Sequence, residues 1–394
     1  MKSISNNELE TEFIDWPVHM QRALQLAENV ITAAPNPRVG CVIVKRATTV
    51  GEGWHVAAGQ AHAEVMALQS AAKQSASATV FVSLEPCSHT GRTGPCVDAL
   101  IEAGVARVVV AAIDPNPDVS GAGIDRLESA GIDVFQLTDF TAASRAINLG
   151  YFKRREEGLP WVRCKMAMSL DGRTALANGD SKWITGTAAR SDVQMLRASS
   201  SAVITGIGTV LADDPSLNVR PSELNLSRVE LEQNKMALSL QPLRVILDSQ
   251  LRTPGTAKIL SEGAAVKIFT ANKIDSKNAF ASHVEILETN QGQPQEAGAQ
   301  RVNLHFVLES LASDYSCNEV LLEAGSTLSG AFIQAGLVDE IIVYIAPILL
   351  GRDSRALLDI TGLQSLSDSI SFEIKDLTKV GKDIRVIARP IVSS

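Results

Sequence analysis

Residues 53–96 read GWHVAAGQAHAEVMALQSAAKQSASATVFVSLEPCSHTGRTGPC. Four of these side chains carry chemistry: His62, Glu64, Cys87 and Cys96. One imidazole and two thiolates supply three ligands to a tetrahedral zinc ion and leave the fourth position open for water. A metal in that state lowers the pKa of its water towards ~7. Glu64, two residues beyond His62, can stand beside the metal without ligating it and pass a proton to a leaving amine. Pro86 and Pro95 directly precede the two cysteines and stiffen the loop that presents each sulfur. A lone His-x-Glu is common. One that opens a helix and is followed by two Pro-Cys pairs is specific. A structural zinc and a chance pattern without metal are the alternatives.

The surrounding pattern is α/β. Residues 16–34 carry Met20, Ala23, Leu24, Ala27, Val30 and Ile31 at helical spacing, which predicts a helix that PNPRVG then breaks. Short apolar runs at 41–45, 51–54, 79–84, 105–113 and 132–135 read as strands, and 61–72, 96–103 and 124–130 as helices. Strands alternating with helices predict a largely parallel sheet. Residues 1–11 are polar and expected to fray. Nearby, Asn36 can offer an amide to a ring edge or simply serve as a turn residue before proline. His55 and His89 are either loop histidines or contacts to a substrate ring or phosphate.

FKRREEGLP, residues 152–160, is charged, carries Gly and Pro, and marks a seam at about 150–160. Beyond it, strands are expected at 161–168, 202–205, 244–248, 266–270, 319–323 and 340–345, with helices at 187–198 and 327–335. Residues 221–242 and 289–301 read as loop-like surface insertions. No Gly-x-Gly-x-x-Gly follows a strand. Gly206-Ile207-Gly208 is the nearest match and has Leu211 at the third position, which argues against a standard dinucleotide fold. VLLEAGSTLSGAF, residues 320–332, is a strand, a turn at Gly325 and a small-residue helix whose first N–H groups can hold a phosphate. A tight strand-to-helix connection is the plainer reading. Arg197 and Arg220 are candidate phosphate clamps or surface charges. Asp213 and Asp214 fit a cap or turn.

Zinc deaminases that act on bases carry His-x-Glu with Pro-Cys-x-x-Cys. Here eight residues, not two, separate the cysteines. PNPRVGCVIV, GWHVAAGQAHAE, LEPCSHTGRTGPC and DPNPDVSGAG together resemble the deaminase half of the bifunctional riboflavin-biosynthesis RibD family, over nearly all of 15–150. The sequence departs from that family's pattern at Ala61 and Gly94, where proline is usual or frequent. KMAMSLDGRTA, SKWITG, GIGTVLADDPSLNVR and LLEAGSTLSGAF resemble its reductase half over most of 161–350. The resemblance implies a cytidine-deaminase-like three-layer domain at 12–150 and a dihydrofolate-reductase-like domain at 155–394. It implies one zinc held by His62, Cys87 and Cys96, with Glu64 catalytic, and NADPH as second cofactor. NADPH contacts would come from Ala167, Trp183, Thr209, Asp213 and Gly325, Ser326, Thr327, Leu328, Ser329, Gly330 and Ala331. Ser181, Arg197, Leu217, Arg220 and Glu323 would contact the phosphoribosyl-pyrimidine substrate, and Asn36 and His55 are added as substrate contacts of the deaminase. A homodimer is the assembly that the family implies.

Composition narrows the classes. The 394 residues carry 36 basic and 44 acidic side chains, a net charge of -8 that repels nucleic acid and anionic membrane. A nucleic-acid base deaminase with an accessory domain is the competing enzyme, but residues 12–150 hold nine Arg and Lys against fourteen Asp and Glu. A zinc-stabilised binding protein without chemistry is the non-enzymatic alternative, and Glu64 beside an open zinc argues against it. The longest apolar run, 341–350, is about half the ~20 residues of a spanning helix. MKSISNNELETEF lacks the apolar core of a secretory signal, and five scattered cysteines make no disulfide framework, so a reducing cytoplasm is expected.

Overall fold

The structure is a computed structural model and describes residues 1–6, 15–89, 94–117, 119–180, 184–273, 280–289 and 301–391. The chain packs as two units: Met1–Gly158 with Leu226–Ser239, and Leu159–Asn225 with Leu240–Ser394.

In the first unit the elements run β1 (Lys2–Ile4), α1 (Trp16–Ala27), β2 (Gly40–Lys45), β3 (Thr48–Trp54), α2 (Ala63–Ala71), β4 (Thr79–Val82), α3 (Cys96–Glu102), β5 (Arg107–Val110), α4 (Ala122–Ser129), β6 (Asp133–Leu137), α5 (Thr141–Ile147) and α6 (Leu149–Glu157). The sheet order is β1-β6-β5-β4-β2-β3. Alternation within the strands divides its two faces. Val80 and Val82 of β4 join Val108, Val110 and Ile43 under α2, α3 and α4. Phe81, Val109 and Val42 point the other way, onto Trp16, Met20, Ala23 and Leu26 of α1. The result is a three-layer α/β/α domain.

Four local expectations need correction. The first sheet is mixed, because β2 pairs antiparallel with both β3 and β4. A two-residue turn, Arg46–Ala47, with positive φ at both positions, folds β3 straight back on β2. Lys2–Ile4 is not frayed but adds a parallel edge strand beside Phe135–Leu137. The helix expected over 16–34 stops at Ala27. The Asn29 carbonyl and the Ile31 N–H, which a longer helix would use, are bonded by Asn234 instead. The fourth correction concerns 221–242, which is not featureless.

The second unit contributes β7 (Trp161–Ser169), β8 (Arg173–Ala175), α7 (Thr187–Ala198), β9 (Ala202–Gly206) and α8 (Ile207–Asp213). Then α9 (Arg228–Gln233) and α10 (Lys235–Ser239) interrupt it and pack in the first unit. Ser227 and Glu230 form a capping box at the start of α9, a signal present in the sequence as Ser-x-x-Glu. There follow β10 (Leu243–Leu247), β11 (Val266–Thr270), β12 (Val284–Glu288), α11 (Leu304–Ser313), β13 (Glu319–Leu322), α12 (Ser326–Gln334), β14 (Glu340–Ala346), β15 (Arg355–Ala356), β16 (Phe372–Val380) and β17 (Asp383–Pro390).

Nine strands form one sheet in the order β12-β11-β10-β9-β13-β7-β14-β17-β16. It is parallel from β12 to β14 and antiparallel across the β16–β17 hairpin. β8 and β15 pair separately. One face buries Ile204, Val245 and Phe269 against Val307 and Leu311 of α11 and Phe332 of α12. The other buries Val203, Ile246 and Ile268 against Ile207 and Val210 of α8. The seam residues 152–157 continue α6, which ends at Gly158 in the left-handed region.

Candidate active sites

The metal site of the first unit is built on close backbone packing. A Cβ on Gly53 would lie 2.5 Å from both the Ala63 carbonyl oxygen and the Ala67 nitrogen, so glycine lets α2 rest directly on β3. Ala63, Ala67 and Ala71 form the small-residue face of α2 that makes this approach. His62 is the N-cap of α2 in an extended conformation, and Glu64 lies in the first turn, buried. Cys87 follows β4 by five residues. Cys96 opens α3, and its N–H donates to the Cys87 sulfur at 3.3 Å while Val97 N–H donates to the Cys87 carbonyl at 3.2 Å. The buried Glu85 carboxylate accepts N–H bonds from Asp114, Gly121 and Gly123, which fixes the loop beside Cys87.

His62, Cys87 and Cys96 thereby converge, their ligand atoms all within 4.8 Å of one another, in the one such group among the described residues. The His62 Nδ1 stands 3.2 Å from the Cys96 sulfur and 3.5 Å from that of Cys87. Cys96 as hydrogen-bond donor, with His62 beside it, holds the Cys87 thiol down at about 4. The bond to Cys87 raises the imidazole of His62. Imidazole and paired thiols are a zinc donor set, and a cation at their centre replaces the shared protons. Burial, reinforced by the Cys87 thiolate, lifts Glu64 to about 7.

Two more of the expected residues meet here. His55 is buried, and desolvation pushes it down to about 4, so its ring is neutral at pH 7. Its Nδ1 donates to the Ala61 carbonyl at 3.1 Å, leaving Nε2 to accept from the Asn36 amide at 3.0 Å. The rings of His55 and His62 pack edge to face at 5.0 Å. Asn36 thus turns its NH2 group toward His55 and keeps its oxygen as an acceptor.

In the second unit, the carboxyl ends of adjacent parallel strands β9 and β13 each run into a helix, α8 and α12. Ligands of open α/β sheets bind at such strand ends. Gly206 and Leu328 bring the two helix starts together, with the Leu328 side chain 3.1 Å from where a Gly206 Cβ would be. Gly325 caps α12, and Gly325, Ser326 and Thr327 lie at its exposed start. Ser329 and Gly330 turn inward, and Gly330 has no room for a side chain against the Asp359 carbonyl. Ala331 continues the helix. Ala167 lies on β7, Thr209 on α8 and Asp213 at its exposed end. Ser181 and Trp183 lie outside the described residues.

Arg197 of α7 grips Glu323 with both nitrogens of its fork, Nη2 to Oε2 at 2.9 Å, and reaches the Asn218 carbonyl at 3.4 Å. Burial would raise Glu323, but Arg197 and Lys165 outweigh it and hold the carboxylate below its usual range. Lys165, on β7, is the residue that the sequence reading passed over. Burial lowers its ammonium against the pull of Glu323. Leu217 is buried with positive φ, next to Asn218. Arg220 is half-exposed and paired with Glu223 at 2.8 Å.

Comparison with known proteins agrees with this geometry. Residues 17–112 match the cytidine and deoxycytidylate deaminase zinc-binding region, and 160–386 match the RibD C-terminal domain. Riboflavin biosynthesis protein RibD of Escherichia coli is 46% identical over 93% of this chain and 97% of its own, and that of Haemophilus influenzae 44% over 95% and 97%. The fold superposes on Acinetobacter baumannii RibD with a TM-score of 0.85, at 44% identity, covering 97% of this chain and 100% of the other. A diaminohydroxyphosphoribosylaminopyrimidine deaminase/5-amino-6-(5-phosphoribosylamino)uracil reductase from Thermotoga maritima gives 0.79 at 30% identity, covering 95% and 99%. With a zinc-type donor set in a deaminase layer and a reductase sheet on the same polypeptide, the chain belongs to the RibD family of bifunctional riboflavin-biosynthesis enzymes.

Proposed function

We propose that this chain deaminates 2,5-diamino-6-ribosylamino-4(3H)-pyrimidinone 5′-phosphate and then reduces the ribosyl group of the product to ribityl with NADPH. The observation that carries the reading is the buried Glu64 beside the convergent His62, Cys87 and Cys96. These three would hold zinc, which when bound acidifies a water. Glu64, with a pKa near neutrality, takes a proton from water and returns it to the leaving nitrogen, so that water and amine become carbonyl and ammonia. Asn36 offers its oxygen to an amine or ring N–H of the pyrimidine, oriented by neutral His55.

In the reductase, NADPH would lie along Ala167, Thr209, Asp213 and the start of α12, whose free N–H groups suit a phosphate. Arg197, Leu217, Arg220 and Glu323 serve the phosphoribosyl substrate. Bound NADPH would supply hydride to C1′, and the sugar ring oxygen released there would need a proton. Lys165, an ammonium made more acidic by burial and electrostatically linked to Glu323, supplies it. Catalytic domains at 12–150 and 155–394, a cytoplasmic location and a homodimer complete the reading. Among the described residues no helix is long and apolar enough to cross a membrane.

The test is zinc analysis with ammonia release and NADPH oxidation on the diaminopyrimidine phosphate. Equimolar zinc, ammonia release, then NADPH consumption that depends on prior deamination are expected. A chain with zinc that releases no ammonia from this substrate would refute the deaminase assignment.

A further inference from the structure

We propose that Asn234 is a positioning residue of the deaminase site, holding the loop that carries Asn36. The inference rests on the deaminase reading above. Asn234 lies in the sequence of the reductase half, on the segment Leu226–Ser239 that packs in the first unit. It joins α9 to α10 and is only 4% exposed.

Every polar atom of its side chain is used. The oxygen accepts the Ile31 N–H at 2.7 Å. The NH2 group donates to the Asn29 carbonyl at 3.2 Å and to the Glu230 carbonyl at 3.0 Å. An amide has two donors and an oxygen acceptor, so this one is satisfied on both sides. The bond to Glu230 anchors it to its own helix. The other two reach across to the stretch where α1 has ended and the chain turns towards Asn36.

That stretch is held at three places. Asn234 fixes it at 29 and 31. Arg154 donates to the Pro35 carbonyl at 3.2 Å. Asn148 grips Arg38 from both sides, accepting from its N–H at 2.7 Å and donating to its carbonyl at 2.9 Å. Arg154 and Asn148 sit on or beside α6, close in sequence to the deaminase fold. Asn234 is the clamp that comes from elsewhere in the sequence. Val30 and Ala33, between the clamps, are buried, so the loop is seated as well as tied. Removing the Asn234 amide leaves the partly buried Ile31 N–H without its acceptor, and the loop shifts to recover one. Asn36 then moves relative to His55 and to the substrate ring.

Asn36 contributes binding rather than proton transfer, so the loss falls on KM more than on kcat. In the full-length chain, Asn234→Ala is expected to raise the deaminase KM about tenfold with kcat changed less than threefold. Zinc content and NADPH oxidation of supplied deaminated substrate stay at wild-type levels. Asn234→Asp keeps the acceptor for Ile31 but sets its second oxygen against the Asn29 and Glu230 carbonyls, so it does not restore the wild-type KM. Because Asn234 acts through Asn36, the effects do not add: Asn36→Ala with Asn234→Ala is no worse than Asn36→Ala alone. Hydrogen exchange of the Ile31 amide quickens in Asn234→Ala and not in Asn36→Ala. Additive effects, a neutral Asn234→Ala, a neutral Asn36→Ala, or a loss that removes zinc or reductase activity in parallel each overturn the inference while leaving the deaminase reading intact. A wild-type chain that releases no ammonia fails the deaminase reading itself and takes this inference with it.

Discussion

Glu64→Gln keeps the side chain's size, so the donors of the metal site stay put, but an amide cannot take up a proton at neutral pH. Deamination should fall ~10²–10⁴-fold, with zinc content and NADPH oxidation of supplied deaminated substrate unchanged. Ammonia release, metal analysis and NADPH absorbance on one preparation check this, and retention of more than about a tenth of the activity would exclude Glu64 as the shuttle. The Glu323–Arg197 pair predicts a pH dependence of stability. The Glu323 pKa is lower in the fold than its ordinary 4.5, so its contribution is complete above that value and is lost as pH falls through the folded value. Glu323→Gln takes from Arg197 and Lys165 the carboxylate that they share. Its melting temperature should lie on the order of 10 °C below wild type at pH 7, with the gap closing below about pH 4.5. A gap that is constant from pH 7 to pH 3.5 would show that the ionised pair is not what stabilises this site. His62, Glu64, Cys87 and Cys96 were legible as a group because their spacing is chemical. Lys165 was not, since one lysine on an apolar strand carries no pattern until β13 brings Glu323 beside it.

At the scale of elements, the site depends on α2 lying against β3 without an intervening side chain. Gly53→Ala puts a carbon 2.5 Å from backbone atoms of Ala63 and Ala67, which cannot rotate away. The helix must retreat and takes His62 and Glu64 with it. A loss of about 1–3 kcal/mol of stability and more than tenfold in deamination is expected, with reductase turnover unchanged. Wild-type deamination with full zinc in Gly53→Ala would mean that α2 is free to slide. Apart from β1, β12, β16 and β17, the strands of the two sheets were readable as apolar runs, and 187–198 as a helix, because burial of one face imposes a period. The end of α1 was not readable. Val30 and Ile31 continue the helical spacing, but the backbone there is claimed by a residue some two hundred positions away in sequence. The β16–β17 hairpin escaped because its exposed strand mixes apolar and charged residues without strict alternation.

For the molecule as a whole, a single cut at the seam does not separate two complete bodies. A fragment of residues 159–394 carries Leu226–Ser239 away from the residues on which it packs, and 1–158 lacks Asn234. The reductase fragment should still oxidise NADPH with deaminated substrate, since its sheet and both site helices lie within it. Replacing 226–239 by a Gly/Ser link of equal length should make that fragment more soluble without lowering turnover. Light scattering and NADPH absorbance test this, and a folded fragment without turnover would count against an autonomous reductase. Two domains were legible from the two resemblances. The exchange of 226–239 was not, because a capping box and a polar helix look the same wherever they dock. The segment also orders events during synthesis. At roughly 5–20 residues per second, the polypeptide that completes the first unit leaves the ribosome on the order of ten seconds after Gly158 does. The deaminase layer can form early, but the loop bearing Asn36 waits for its clamp until about the first third of the second unit has been translated.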